Sequence, residues 1–394
     1  MRIAIMAPDL QTGSVAAAAL RHAAELSVRH TVHVITRAVP PVLPQRVRPV
    51  VVQPANWNWL RRYGHVPNEL SFIWSARRAL ARLSAQECPD VVWCHSHALT
   101  ALAAAPLKKR FGFRVLMTTH GDIFDRPKGT YSRELTWFYK GVTPSAYRHA
   151  DRVHALSPNM ASLAIEHGAS PDRVRVIPSG MDPAEIGATH SRERPADSFM
   201  PADTLRLLYV GSLWNVKGVD VFLRAAAALL PLKFSIHLIG DGPERRALEA
   251  LAADLGIGSA VIFHGPAPRE QMAAHCAQAD LLCVPSLSEA FSTVTLEAML
   301  CGLPVVGSNT GGIPALITEG ETGHLATPGD AASLAQCIRK ATVSRDHLAA
   351  LGANGQARAR SDFTWHAIGD RLSALAEKAL CDLPLVNLTH GTVR

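Results

Sequence analysis

From its first residues to its last third, the chain alternates short apolar runs with stretches of helical period, and no other feature restricts its fold as strongly. The runs lie at about 2–7, 31–36, 91–95, 113–118, 152–156, 173–177, 205–210, 234–239, 260–264, 280–284 and 303–306. They are short and apolar, which suits strands, and the segments between them read as helices. That alternation predicts parallel sheets flanked by helices, an α/β doubly wound architecture. At 394 residues and 48% hydrophobic content the chain can bury two cores. Between Asp182 and Asp203 the sequence turns polar, carries Pro183, Pro195 and Pro201 and loses its periodicity, which predicts an interdomain linker. The expected domains are therefore 1–190 and 191–360. In the remaining 361–394, Phe363, Trp365, Ile368, Leu372 and Leu375 mark an amphipathic helix, and the tail from Leu383 is expected to fray.

Charge is distributed unevenly along this frame. Residues 1–190 hold 23 Lys plus Arg against 13 Asp plus Glu, while 191–394 hold 17 against 20, giving +10 and −3. A basic front half suits an anionic partner such as a membrane surface, a lipid pyrophosphate or an acidic glycan. No nucleic-acid recognition motif accompanies it. Arg46, Arg48, Arg61, Arg62, Arg77, Arg78 and Arg82 interleave with Trp57, Trp59, Tyr63, Phe72 and Trp74. This stretch suits a membrane interface or a lipid-linked acceptor, and equally aromatics packed under helices with solvated arginines outside. The seven cysteines form no Cys-x-x-Cys pair and read as buried free thiols in a reducing compartment. The opening apolar run is interrupted at Pro8 and Asp9, which makes it a first strand rather than a signal peptide. With no run of eighteen apolar residues, the expectation is a cytoplasmic protein, soluble or peripheral on the inner face of the membrane.

The chemistry concentrates in the second half. Glu289-Ala-Phe-Ser-Thr-Val-Thr-Leu-Glu297 follows the apolar run 280–284 and precedes Gly302-Leu-Pro-Val-Val, so the unit reads strand, loop, helix, strand. Glu289 is then expected in a loop at the carboxyl end of a strand, with Glu297 about two turns into the next helix. Open α/β sheets bind ligands at that edge. The plainer alternative is one glutamate compensating a helix dipole and another in solvent. Upstream, the strand 205–210 leads into Gly211-Ser-Leu-Trp-Asn-Val-Lys217-Gly218 and then a helix. An ammonium group beside a helix start, with its unpaired N–H groups, suits a diphosphate. Gly311 and Gly312 follow another strand and allow backbone amides to approach a ligand.

With these segments in order, the chain resembles the family-4 glycosyltransferases, the retaining enzymes of the two-domain GT-B fold. The resemblance covers nearly the whole chain. Ile3 to Gly13, Thr118-Thr-His120-Gly-Asp122, Ile177 to Asp182, Gly211 to Gly218, Leu238 to Glu244, Glu289 to Glu297 and Gly311-Gly-Ile-Pro314 carry it. It implies two Rossmann-like domains facing each other across a cleft, the first taking the acceptor, the second the nucleotide sugar, and the terminal helix crossing back to the first. It also implies site residues. Glu297 would accept from the ribose hydroxyls, Glu289 would contact the donor sugar, and the amides of Ala290, Phe291 and Ser292 would meet the sugar or its phosphates. Lys217 would neutralise the leaving diphosphate. His120, at the carboxyl edge of its strand, would touch the donor sugar or orient the acceptor, the alternative being a turn cap against Asp122. Gly13 would let the backbone approach the donor phosphates or the acceptor, or serve as an ordinary turn glycine.

Two positions depart from the pattern of relatives. Ser212 stands where many carry arginine, leaving Lys217 as the single assigned cation on the diphosphate. Ala315 stands where a glutamate often follows the Gly-Gly-x-Pro segment. No Asp-x-Asp element occurs in the active-site segments, so neither metal nor cofactor is expected and the mechanism is metal-independent. No carboxylate nucleophile is recognisable beside His120, which favours front-face substitution with retention. His95-x-His97 has metal-ligand spacing on one strand face but no third ligand, and reads as structural. Asp241 reads as a turn residue.

The implied activity is transfer of a sugar from a nucleotide sugar to a glycan or lipid-linked acceptor, in cell-envelope or exopolysaccharide biosynthesis. Other GT-B enzymes, an epimerase or a phosphorylase, and a catalytically silent nucleotide-sugar-binding subunit are the alternatives. A nicotinamide enzyme is disfavoured, because no Gly-x-Gly-x-x-Gly follows the first strand.

Overall fold

The computed structural model describes residues 1–8, 10, 13–53, 66–95, 98–120, 133–188 and 204–381. Trp57, Trp59, Arg61, Arg62, Tyr63, His97, Asp122, most of the polar segment before Asp203 and the tail from Leu383 lie outside the described residues. The chain divides into two compact units, Met1–Ile177 with Ile368–Arg394, and Pro178–Ala367.

In chain order the first unit contains β1 (Arg2–Met6), α1 (Gly13–Ser27), β2 (Thr31–Thr36), β3 (Val47–Val51), α2 (Val66–Gln86), β4 (Val91–Cys94), α3 (Ala98–Phe111), β5 (Arg114–Thr119), α4 (Arg133–His149), β6 (Arg152–Ala155), α5 (Pro158–Glu166) and β7 (Val174–Val176). Its sheet runs β3-β2-β1-β4-β5-β6-β7, with every pair parallel. The second unit contains β8 (Leu205–Val210), α6 (Val219–Ala227), β9 (Phe234–Ile239), α7 (Arg245–Asp254), β10 (Val261–Gly265), α8 (Met272–Gln278), β11 (Leu281–Val284), α9 (Thr293–Leu300), β12 (Val305–Ser308), α10 (Ile313–Leu316), β13 (Gly323–Ala326), α11 (Ala331–Ala341) and α12 (Arg345–Asp362). Its sheet runs β10-β9-β8-β11-β12-β13, again parallel throughout. The last helix, α13 (Trp365–Cys381), begins in the second unit and continues in the first.

All eleven expected runs form strands. The two that sequence reasoning passed over, β3 and β13, are both edge strands, paired on one side alone. In β3, Pro49 interrupts the apolar run, and an edge strand tolerates it because its outward side needs no donor. In β13, a glycine and a histidine occupy half of a four-residue strand. The units divide at Ile177, ahead of the polar segment, because the next residues already pack on the second unit. Met181 N donates to the Phe363 carbonyl at 2.9 Å, and the Trp365 indole donates to Glu185 at 3.0 Å.

One local device recurs at the amino ends of the strands. Asp90, Asp151 and Asp280 each stand immediately before a strand, and each accepts a backbone N–H from the neighbouring one. The donors are Arg2 at 2.7 Å, Val115 at 2.8 Å and Arg206 at 2.9 Å. A carboxylate bonded this way pins the register of a parallel pair, where an offset of one residue would turn every side chain to the other face. Asp280 also takes the Arg345 guanidinium at 3.1 Å and Asp151 the Lys108 ammonium at 2.7 Å, which compensates their burial.

The cysteines are free, and Cys94, Cys276, Cys283, Cys301 and Cys337 are buried as expected, while Cys88 is half-buried and Cys381 exposed. Among the described residues no helix is long and apolar enough to cross a membrane.

Both sheets have a point where the strand order reverses. In the second unit the chain lays β9 and β10 on one side of β8 and β11 onward on the other, so the loops after β8 and β11 diverge and leave a crevice between them. In the first unit the same reversal lies between β1 and β4.

Candidate functional site

The loop after β8 carries Ser212 and Lys217, and the loop after β11 carries Glu289 to Ser292, so sheet order alone brings these segments to one crevice. Their contact is direct: the Lys217 ammonium donates to Glu289 Oε2 at 2.6 Å. The Ser286 hydroxyl donates to the same oxygen at 3.4 Å. The lysine and glutamate side chains retain 27% and 14% exposure, enough for an incoming ligand to reach both. Lys217 ends the 3₁₀ turn Asn215–Lys217, and Gly218, at φ +64°, then turns the chain into α6.

Glycines bind the four loops of this edge together. A Cβ on Gly218 would lie 2.2 Å from the Pro285 carbonyl oxygen, on Gly240 1.9 Å from that of Gly211, and on Gly311 1.5 Å from that of Glu289. Gly312 abuts the backbone of Phe291, where a Cβ would sit 2.5 Å from Cα. The paired glycines therefore bring backbone against the Glu289 to Phe291 loop. That explains their residue type without any ligand. Asp241 accepts from Gly242 N at 2.8 Å, the turn role expected of it.

Ser292 occupies the N-cap position of α9 with φ +74°, the one non-glycine at positive φ among the described residues. Its hydroxyl meets that of Thr295 at 2.8 Å. Strain of this kind persists where surrounding contacts impose it. It leads the chain from Ala290 and Phe291 into α9, whose first N–H groups, from Thr293 on, lack intrahelical partners. Because α9 starts at Thr293, Glu297 lies just over one turn into it rather than about two.

Glu297 is buried, and its Oε1 accepts from Arg269 Nε at 2.9 Å. Burial pushes the Glu297 carboxyl above its ordinary value; the Arg269 guanidinium opposes the shift, and the Glu185 charge adds to it. Arg269 Nη1 stands 3.8 Å from Glu185, and its Nη2 reaches Met181 Sδ at 3.6 Å. Sequence reasoning missed Arg269. It stands in a turn after β10 with no motif around it, 28 residues from its partner, and only the packing of that turn onto α9 reveals it.

Ser212 is exposed, and its carbonyl accepts from the Tyr209 hydroxyl at 2.8 Å. Burial, then the nearby Glu289 charge, raises that phenol above its ordinary value, so it stays a neutral donor. At Ala315 the backbone is held by Arg358, which donates to the Ala315 carbonyl at 3.0 Å and to the Thr318 hydroxyl, fixing the end of α10.

In the first unit, Gly13 is the first residue of α1 and His120 directly follows β5, half-buried. His120 Nε2 lies 3.1 Å from Nδ1 of His95, so its described partner is another histidine. Among the described residues no three His, Cys, Asp or Glu side chains converge as a metal site.

Known proteins match both units. The family described as "Glycosyl transferase 4-like domain" matches residues 13–180, and that described as "Glycosyl transferases group 1" matches 204–342. A D-inositol 3-phosphate glycosyltransferase of Acidothermus cellulolyticus is 38% identical over 184 residues, covering 44% of this chain and 41% of that protein. The chain thus spans about half the length of the curated relatives it matches. Among solved structures, the sucrose-phosphate synthase of Thermosynechococcus elongatus superposes with TM-score 0.73 at 24% identity, over 96% of this chain and 98% of that one. Anabaena Alr3699/HepE, solved in complex with UDP and glucose, gives 0.67 at 21%, over 96% and 100%. At these identities the likeness establishes the fold, two Rossmann-like units of GT-B type.

Proposed function

We propose, because this chain belongs to the family-4 glycosyltransferases, that it moves a sugar from a nucleotide-diphosphate donor to a glycan or lipid-linked acceptor with retention of anomeric configuration. The observation that carries this is the 2.6 Å pair of Lys217 and Glu289 at the strand-order reversal of the second unit. An ammonium group has three N–H donors, so Lys217 can keep one on Glu289 and turn two to the diphosphate. As the bond from anomeric carbon to phosphate oxygen breaks, charge accumulates on that oxygen, and the attraction grows toward the transition state. Both contacts described for Glu289 fall on Oε2, and Oε1 would accept from a donor-sugar hydroxyl. The amides of Ala290, Phe291 and Ser292, at the positive end of α9, would meet the phosphates or sugar. Gly311 and Gly312, packed against that loop, would let backbone amides approach the donor, and Glu297 would take the ribose diol.

With Ser212 uncharged, the proposal assigns the diphosphate to one cation and backbone dipoles, with no metal or cofactor called for. The departing phosphate oxygen would accept the acceptor hydroxyl's proton in a front-face substitution. His120 and Gly13 are assigned to the donor sugar or the acceptor. A cytoplasmic site of action, peripheral contact with the membrane and a role in envelope or exopolysaccharide assembly complete the proposal, supported by the basic first half of the sequence.

Thermal shift against UDP-, GDP-, ADP- and dTDP-sugars tests it, followed by release of nucleoside diphosphate with glycan and lipid-linked acceptors. A donor at 100 times its Kd should stabilise the fold by about 2.7 kcal/mol. If no sugar nucleotide stabilises the protein, the proposal fails; binding without turnover on any acceptor would favour a silent binding subunit.

Arg269 yields a separate expectation. Arg269→Gln should weaken nucleoside diphosphate binding about tenfold at neutral pH, since hydrogen bonds to charged groups contribute roughly 1.5–3 kcal/mol. It should also make binding pH-dependent. The Glu297 carboxyl, already raised by burial, would lose the cation that opposes the shift, so affinity should fall as pH drops and recover as pH rises. Isothermal titration of wild type and variant between pH 5 and 8 checks both, and an unchanged, flat profile in the variant would free Glu297 of this dependence.

A further inference from the structure

A line of imidazoles runs inward from His120. Beyond the 3.1 Å contact with His95 Nδ1, the other nitrogen of His95, Nε2, lies 3.4 Å from Nδ1 of His22 on α1. His22 and His95 are fully buried, and their rings meet edge-on with centroids 4.9 Å apart. A second chain runs beside the first. The Trp93 indole donates to Thr118 Oγ1 at 2.8 Å, Thr118 Oγ1 meets His154 Nδ1 at 3.1 Å, and His154 Nε2 lies 2.7 Å from the Ile177 carbonyl oxygen. An indole N–H only donates and a carbonyl only accepts, so a neutral His154 must carry its proton on Nε2 and accept from Thr118. That chain has one arrangement. Burial lowers His154 to about 4 and holds His22 and His95 well below the ordinary imidazole range, so all three are neutral at pH 7.

The line that includes His120 meets at His95. Each neutral ring offers one N–H and one lone pair, and each N···N contact needs one proton between its nitrogens. Two such contacts in series couple the rings, so the proton carried by His95 decides whether Nε2 of His120 donates or accepts. His95 is the shared member, and Nδ1 cannot exchange roles unless Nε2 does. It follows β4 at the strand-order reversal of the first sheet, the edge where α/β sheets take ligands.

We propose that His95 is a positioning residue that holds the His120 ring through Nε2 and sets its tautomer. The functional part of this rests on the assignment of His120 to the substrate. Residue type at position 95 separates positioning from packing. Asparagine places its amide near the Nδ1 position and glutamine near the Nε2 position, so His95→Asn retains the link toward His120 and His95→Gln the link toward His22.

The experiment records imidazole 15N shifts of His120 in the full-length wild type and both variants, with kcat and KM for UDP-glucose hydrolysis alongside. The wild type should show two well-separated His120 nitrogen shifts, the mark of one neutral tautomer. His95→Asn should keep that separation and stay within about threefold of wild-type kcat. His95→Gln should show averaged shifts and lose about tenfold or more in kcat at unchanged KM, the effect of a misaimed group. Averaged His120 shifts in the wild type would overturn the proposal whether or not either variant folds. Equal damage in Asn and Gln variants, or a glutamine variant that matches wild type, would do the same. Absence of UDP-glucose hydrolysis in the wild type counts against that donor alone, and the shifts then decide the role of His95.

Discussion

Replacing Lys217 with alanine should lower kcat roughly 100- to 1,000-fold, the range found when one preorganised donor to a developing anion is removed. The loss should fall mainly on kcat, because the interaction strengthens as the diphosphate departs; donor binding should weaken less. Lys217→Arg should recover part of the activity, since it restores the charge but replaces three divergent donors with a planar fork. Stability should change little, as Lys217 sits on a half-buried turn and Glu289 keeps the Ser286 hydroxyl and access to water. Steady-state kinetics on the donor found by thermal shift, with Tm measured in parallel, checks all three statements. A Lys217→Ala enzyme within fivefold of wild type would remove this residue from the leaving group.

Gly311→Ala should unfold the edge that carries the site. The new Cβ would lie 1.5 Å from the Glu289 carbonyl oxygen, and because that obstacle is backbone no rotamer change relieves it. Position 311 also has φ +59°, which an L-residue adopts at a cost. Strain and overpacking together should remove about 2–5 kcal/mol of stability. Activity should be lost even in the fraction that folds, since relief requires moving Glu289. Gly320→Ala is the internal control: φ there is +76°, but nothing lies within 4 Å of its Cβ, so it should show the backbone cost alone, about 1–2 kcal/mol. Equal destabilisation in the two, by chemical denaturation, would mean that the contact with Glu289 is unimportant.

The residues that carry these expectations differ in how visible they were beforehand. Lys217 and Glu289 stand out because each follows an apolar run and precedes a helix, a position that sequence period alone assigns to the ligand-binding edge. Their 2.6 Å contact was not visible, since 72 residues separate them and nothing local selects one partner. Gly311 and Gly312 were recognisable as sites of close approach, but what they approach is the Glu289 loop. Arg269 offered no signal at all, and His95 read as a structural histidine because its partners lie on α1 and after β5.

The alternation of apolar runs and helical segments is written along the chain, because each strand and helix answers to its own period and its own turn residues. It determined the doubly wound class, and the ordered motifs determined the family. Edge strand β3 escaped because it is paired on one side and mostly exposed, so its composition need not be that of a buried strand, and β13 because, though buried, it is four residues long and half glycine and histidine. Which side chains share a crevice depended on the order in which strands lie side by side. That order follows from burying the apolar faces of the whole unit together, and it brought Lys217 to Glu289, Arg269 to Glu297 and His95 to His120, pairs that no local segment encodes.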